Sequence, residues 1–97
     1  MSTALDTQTT TALKIPSLYK VVLLNDDFTP MDFVIQVLTE IFGKSDEEAF
    51  RITMEVHNAK RGVVGIYSKE VADQKVFEVI TVSRSHKHPL KATTEVA

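Results

Sequence analysis

Asn25-Asp26-Asp27-Phe28-Thr29-Pro30-Met31 is the stretch of this 97-residue chain richest in groups that could do chemistry. It sets an amide oxygen and two carboxylates in consecutive positions with no Lys or Arg beside them. Such a group of acceptors presents negative potential, which suits a cation or an ammonium group. Asp and Asn also cap helices and shape turns with no further role, so local chemistry alone leaves both readings open. Thr29 is expected to cap the next helix, which would free Asn25 and Asp26 from that task. His57 is the next candidate, on the expected apolar face of a helix, where a satisfied core histidine and a functional one look alike in sequence. His86 and His88 flank Lys87 just before Pro89 and read as a solvated helix end favoured by the macrodipole. A metal site built from His57, His86, His88 and the Asp pair would use proper ligand types, yet no recognised ligand spacing is present.

Catalysis has less to stand on. There is no glycine-rich phosphate loop, nucleophile elbow or HExxH, and with 3 Gly a phosphate cradle has little to be built from. An Asp–His pair could form an acid–base couple, but no nucleophile or set of oxyanion donors accompanies it. The residues point to binding, with no enzyme activity, metal or cofactor expected.

These groups need elements to hold them. YKVVLL, residues 19–24, is β-branched and apolar, as in a strand buried on much of both faces. With Thr29 as cap and Pro30 in the first helical position, a helix should run from Pro30 to Phe42. Its apolar residues Met31, Val34, Ile35, Leu38, Ile41 and Phe42 follow the 3.6 period, and Gly43 ends it. Ser45 with Glu48 three residues on makes a capping box for a second helix, in which Phe50, Thr53, Met54 and His57 share one face. Asn58 and a Lys60-Arg61-Gly62 turn end it, before a strand over residues 63–67 in which Gly65 allows a close approach. Residues 76–82 have strand-like composition, but Val71, Ala72, Lys75, Val76, Val79, Ile80 and Ser83 repeat as a helix stripe does. Length favours a helix here, opened by Ser68 and stopped by Pro89. A last strand spans residues 90–96. The order β-α-α-β-α-β describes an α+β domain with a small antiparallel sheet packed with helices.

Composition narrows the class further. The length suits one domain, 18–97, preceded by a Thr-rich extension, 1–17, expected to be mobile. Eleven Lys plus Arg against thirteen Asp plus Glu give a net charge of −2, which argues against electrostatically driven nucleic-acid binding. No apolar run approaches a membrane span and no signal-like start is visible. The absence of Cys fits a reducing cytoplasm. Nothing demands more than a monomer.

YKVVLLNDDFTPMDFVIQVL at residues 19–38, Val56-His57, GVVGIYSKEVADQK at 62–75 and HPLKATTE at 88–95 closely resemble the ClpS adaptor family of the bacterial N-degron pathway. The likeness covers residues 16–97 in the family's order and spacing. It implies a non-enzymatic adaptor with a fold like the ribosomal L7/L12 C-terminal domain. Such an adaptor binds proteins that begin with Leu, Phe, Tyr or Trp and passes them to the Clp unfoldase–protease, usually ClpA with ClpP. By resemblance, Asn25 and His57 accept hydrogen bonds from the free α-amino group while Asp26 and Asp27 supply charge. The first side chain enters a pocket of Thr29, Met31, Val34, Thr53, Val56 and Leu90. Met31 would act there as a gate against Ile and Val, and Glu70 and Lys75 match the contact with the unfoldase. Thr53 departs from the family, which most often carries Met there. The departure implies an altered ranking of N-terminal residues and would suit a second, ClpS2-type paralogue. Two other readings stand beside the adaptor: an L7/L12-like interaction domain that binds a partner helix with Asn25 to Asp27 purely structural, and a small carboxylate–His metal protein or hydrolase.

Overall fold

The structure is a computed structural model and describes residues 16–97. The extension expected over residues 1–17 therefore lies, apart from Pro16 and Ser17, outside the described residues. The chain forms β1 (Leu18–Leu24), α1 (Met31–Glu40), α2 (Asp46–Ala59), β2 (Arg61–Ser68), α3 (Lys69–Ser85) and β3 (Lys91–Val96). The expected order β-α-α-β-α-β holds. β1 is central, paired antiparallel with β2 on one side and β3 on the other.

β1 takes the centre because it has the apolar content to be covered on both faces: Val21, Val22 and Leu23 are all fully buried. Val21 and Leu23 join the main core with Phe33, Val34, Val37 and Leu38 of α1, and with Ala49, Ile52 and Val56 of α2. Val22 points the other way, between Val63 and Thr93 on the neighbouring strands. The β1–β2 register shifts between Val21 and Val22, whose partners are Gly65 and Val63. Val64 is the extra residue, and such a bulge bends the strand and increases its twist. The room at Gly65 is taken by Tyr67: a Cβ there would lie 2.7 Å from the Tyr67 hydroxyl.

Residues 69–85 are helical, opened by Ser68, whose hydroxyl accepts from the Val71 amide at 3.3 Å. Seventeen residues with Ala72, Val79 and Ser83 buried along one side outweigh the strand-like composition of residues 76–82. Burial of a recurring stripe decides between two backbone states that differ little in intrinsic preference.

Three expectations need correction. Thr29 does not cap α1. Pro30 occupies that position without a side-chain bond, its carbonyl accepting from the amides of Phe33 and Val34, and regular helix ends at Glu40. The capping box of α2 is half made. Ser45 accepts from the Glu48 amide at 3.2 Å, but the Glu48 carboxylate turns to the Arg51 guanidinium, a stronger donor than a neutral amide.

The third correction concerns the buried face of α2, which is Ala49, Ile52, Thr53 and Val56. That is one residue, or about 100° of helix rotation, away from the expected Phe50, Thr53, Met54 and His57. Phe50 is 56% exposed and His57 lies at the surface. Close packing sets the rotation: β2 passes so near that a Cβ on Gly62 would stand 2.7 Å from Val56 Cγ2, which only small and branched residues on that face permit.

Candidate functional site

The site begins where β1 ends. The Asn25 amide donates to the Lys60 carbonyl at 2.9 Å, which pins the end of the central strand against the end of α2. Lys60 turns the chain from helix to strand in a left-handed conformation (φ 75°), replacing the three-residue turn expected there. His57 is one turn back from Lys60 on α2, so the same joint carries Asn25 and His57 to one rim.

The next residues fold around Asp26. One carboxylate oxygen accepts from the amides of Phe28 at 2.8 Å and Thr29 at 2.7 Å, and the other from the Thr29 hydroxyl at 2.8 Å. Partial burial acts to raise the Asp26 carboxyl pKa, but the bonds from Thr29 and Phe28 and the charge of His88 outweigh it and hold it below its ordinary value. Asp26 is thus the organiser of the turn, while the cap position expected of Thr29 falls to Pro30. The loop leaves Phe28 79% exposed. Asp27 is exposed, and among the described residues no hydrogen bond engages its carboxylate, the Asn25 amide group or the His57 ring.

Beneath this rim is a cavity of about 420 Å³, within the range of small-ligand sites. Asn25, Asp26, Asp27, Thr29, Met31, Val34, Thr53, Val56, His57 and Leu90 all line it, although they come from three separate stretches of the chain. Val34 and Val56 give the floor from α1 and α2, and Leu90, 1% exposed, closes it from the segment before β3. Met31 stands at the edge, 38% exposed, at the first turn of α1. Thr53 is 2% exposed, and its hydroxyl has no hydrogen-bond partner among the described residues. The arrangement combines unspent acceptors above an apolar well.

Leu24, Phe28, Pro30 and Lys60 also line the cavity and were not anticipated. An aromatic inside a polar turn was the available signal for Phe28, whereas nothing local announced Lys60. Glu70 and Lys75 are not among the lining residues. Glu70 is exposed in the first turn of α3. Lys75 is no solvated face residue: its ammonium donates to the Ile41 carbonyl at 2.7 Å, tying α3 to the end of α1. Phe33 packs against His88 and His86, ring centroids 4.6 and 5.3 Å apart, and the His86 Nδ1 lies 3.0 Å from the Val82 carbonyl. Among the described residues no three His, Asp or Glu side chains converge as a metal cluster would, and no helix is long and apolar enough to cross a membrane.

Comparison with known proteins gives a consistent result. A family model described as "ATP-dependent Clp protease adaptor protein ClpS" matches residues 14–93. A ClpS adapter protein of Maricaulis maris is 52% identical over 93 residues, covering 96% of this chain and 85% of that protein. One of Burkholderia cenocepacia is 52% identical over 85 residues, covering 88% and 82%. Among solved structures, Agrobacterium tumefaciens ClpS2 bound to L-phenylalaninamide superposes with a TM-score of 0.84 at 37% identity, covering 86% of this chain and all of that one.

Proposed function

Because the chain belongs to the ClpS family of Clp protease adaptor proteins, we propose that its cavity holds the first residue of a substrate protein, by its α-ammonium and its side chain together. The observation that carries the proposal is the meeting of Asn25 and His57 at one rim, above a well of Val34, Val56 and Leu90. The ammonium of a free N-terminus, with a usual pKa of about 7.7–8.0, is largely charged at neutral pH and needs three acceptors. Asn25 offers its amide oxygen, and His57 offers a ring nitrogen when it is unprotonated. Asp26, its oxygens engaged by the loop, contributes charge and the shape of the rim, while Asp27 adds charge from the surface. The phenylalaninamide on the Agrobacterium relative is a free amine beside a benzyl group, the chemistry this cavity suits.

Burying a Leu or Phe side chain contributes about 1.5–3 kcal/mol, and each hydrogen bond to the charged amine about 1.5–3. After the cost of ordering, a total near 8 kcal/mol corresponds to micromolar affinity. Neither half reaches that alone, which is why an internal Leu or Phe is not bound. The preferred first residues are Leu, Phe, Tyr and Trp, in an order that Thr53 alters, and Met31 crowds out β-branched ones. The chain acts as a cytoplasmic monomer that delivers its cargo to a ClpA-type unfoldase. Glu70 faces that partner from α3, Lys75 steadies the surface from within, and the extension over residues 1–17 assists delivery.

Titration with a Phe-started peptide, free and N-acetylated, tests the central point. Acetylation should weaken binding by at least tenfold. Equal binding of both forms would indicate a surface that ignores the amine, as a domain binding a partner helix would.

A further inference from the structure

The chain has no Cys, so its oxidisable sulfur lies in three methionines, Met1, Met31 and Met54. Met1 falls outside the described residues. Met54 is half-buried on α2 and does not line the cavity. Met31 does line it, from the first turn of α1, and is 38% exposed. A side chain that open, at the mouth of a cavity of about 420 Å³, is within reach of a small dissolved oxidant. The apolar residues deeper in the same cavity, Val34, Val56 and Leu90, are buried and carry no group that peroxide oxidises. The cavity thus has one thioether, and it stands where ligand and solvent both pass.

We propose that Met31 is a modification site: hydrogen peroxide converts it to the sulfoxide, which weakens the hold on apolar first residues, and a bound substrate shields it. This rests on the reading of the cavity as the seat of a substrate's first residue. The Met31 sulfur attacks one peroxide oxygen, forming an S–O bond as the O–O bond breaks. The sulfur gives up two electrons, and the other oxygen takes both protons and leaves as water. The product is polar and chiral where the thioether was apolar, and methionine sulfoxide reductases can reverse the change. In the free chain the new oxygen can reach water, because Met31 is already 38% exposed. A Leu or Phe side chain seated against it takes that water away, and a polar group buried without a partner is costly. The penalty falls on the bound state alone, so affinity should drop by about five- to tenfold with the fold unchanged. A seated side chain also blocks approach to the sulfur, so the adaptor is oxidised while empty and spared while loaded.

The test treats the full chain with hydrogen peroxide, alone and with saturating L-phenylalaninamide. Peptide mass mapping follows the sulfoxide at each methionine, and fluorescence anisotropy follows affinity for a Phe-started peptide. Met31 should oxidise faster than Met54, and phenylalaninamide should slow Met31 but not Met54. Affinity is expected to fall about five- to tenfold, to return after treatment with methionine sulfoxide reductases, and to do so without a change in Tm. Each variant is compared with itself before and after peroxide: Met54→Leu should lose affinity as the parent does, and Met31→Leu should lose none. Full affinity once Met31 is oxidised, an equal loss in Met31→Leu, a Tm lowered in step with affinity, or equal oxidation of Met31 with and without phenylalaninamide overturns the modification site while leaving amine recognition intact. Failure of the untreated chain to bind the free peptide, or equal binding of its acetylated form, overturns both.

Discussion

Asp26 is the residue whose role the structure most redefines, and it allows scaffold and charge to be separated. Asp26→Ala removes the acceptor for the Phe28 amide, the Thr29 amide and the Thr29 hydroxyl. Three bonds at about 0.5–1.5 kcal/mol each, discounted for partial exposure, predict a loss of about 1.5–2 kcal/mol. For a domain of this size that lowers Tm by roughly 8–12 °C. Asp26→Asn keeps an amide oxygen for the two backbone donors but loses the charge and the oxygen that accepts from the Thr29 hydroxyl, so its loss should be smaller than that of Asp26→Ala. The pH dependence separates them again. The carboxyl pKa is lowered from 3.8 in the folded chain, so its stabilisation is complete above that value. It is lost as pH falls from there through the lower folded value, and Asp26→Asn should flatten this part of the stability curve. Thermal unfolding by circular dichroism between pH 2.5 and 7, with peptide titration at pH 7, reads all three effects. If Asp26→Ala melted with the parent, or the two variants melted together, the carboxylate would not be what holds the loop.

Met31→Ala should admit peptides that begin with Ile or Val, with little cost in Tm because Met31 is already 38% exposed; equal binding of an Ile-started peptide before and after the change would remove the gate role. Thr53→Val deletes a buried hydroxyl that has no partner among the described residues and should raise stability by about 1 kcal/mol, seen as a higher midpoint in urea. Thr53→Met should change the ranking among Leu-, Phe-, Tyr- and Trp-started peptides, and an unchanged ranking would show that this wall does not set the preference.

The proposed binding of an amine imposes one physical requirement on this site. The acceptors must be withheld from the protein's own bonding so that a ligand can use them. Asn25 donates its backbone amide to Lys60 but keeps its side chain unspent, and His57 sits at the surface beside it. Asp26 is the opposite case, spending both oxygens inside the loop. The three acidic and amide positions that look equivalent in sequence thus divide into one free acceptor, one structural group and one exposed charge.

The sequence by itself determined the element order and pointed to the segments that line the cavity. A β-branched apolar run, helical stripes and caps at Ser45 and Ser68 are local properties that a chain expresses whatever it packs against. Its motifs also drew together Asn25, His57 and the apolar residues that line the cavity with them. Only the tertiary structure decided the rotation of α2, because the contact of Val56 with Gly62 on β2 selects among faces of similar hydrophobicity. It likewise decided that Pro30 and not Thr29 stands at the cap of α1, since a choice between neighbouring caps depends on where the strand delivers the chain. The bond from Lys75 to the Ile41 carbonyl was equally illegible. It joins residues far apart in the chain, and charge acquires a partner, or lacks one, only when folding fixes the distances.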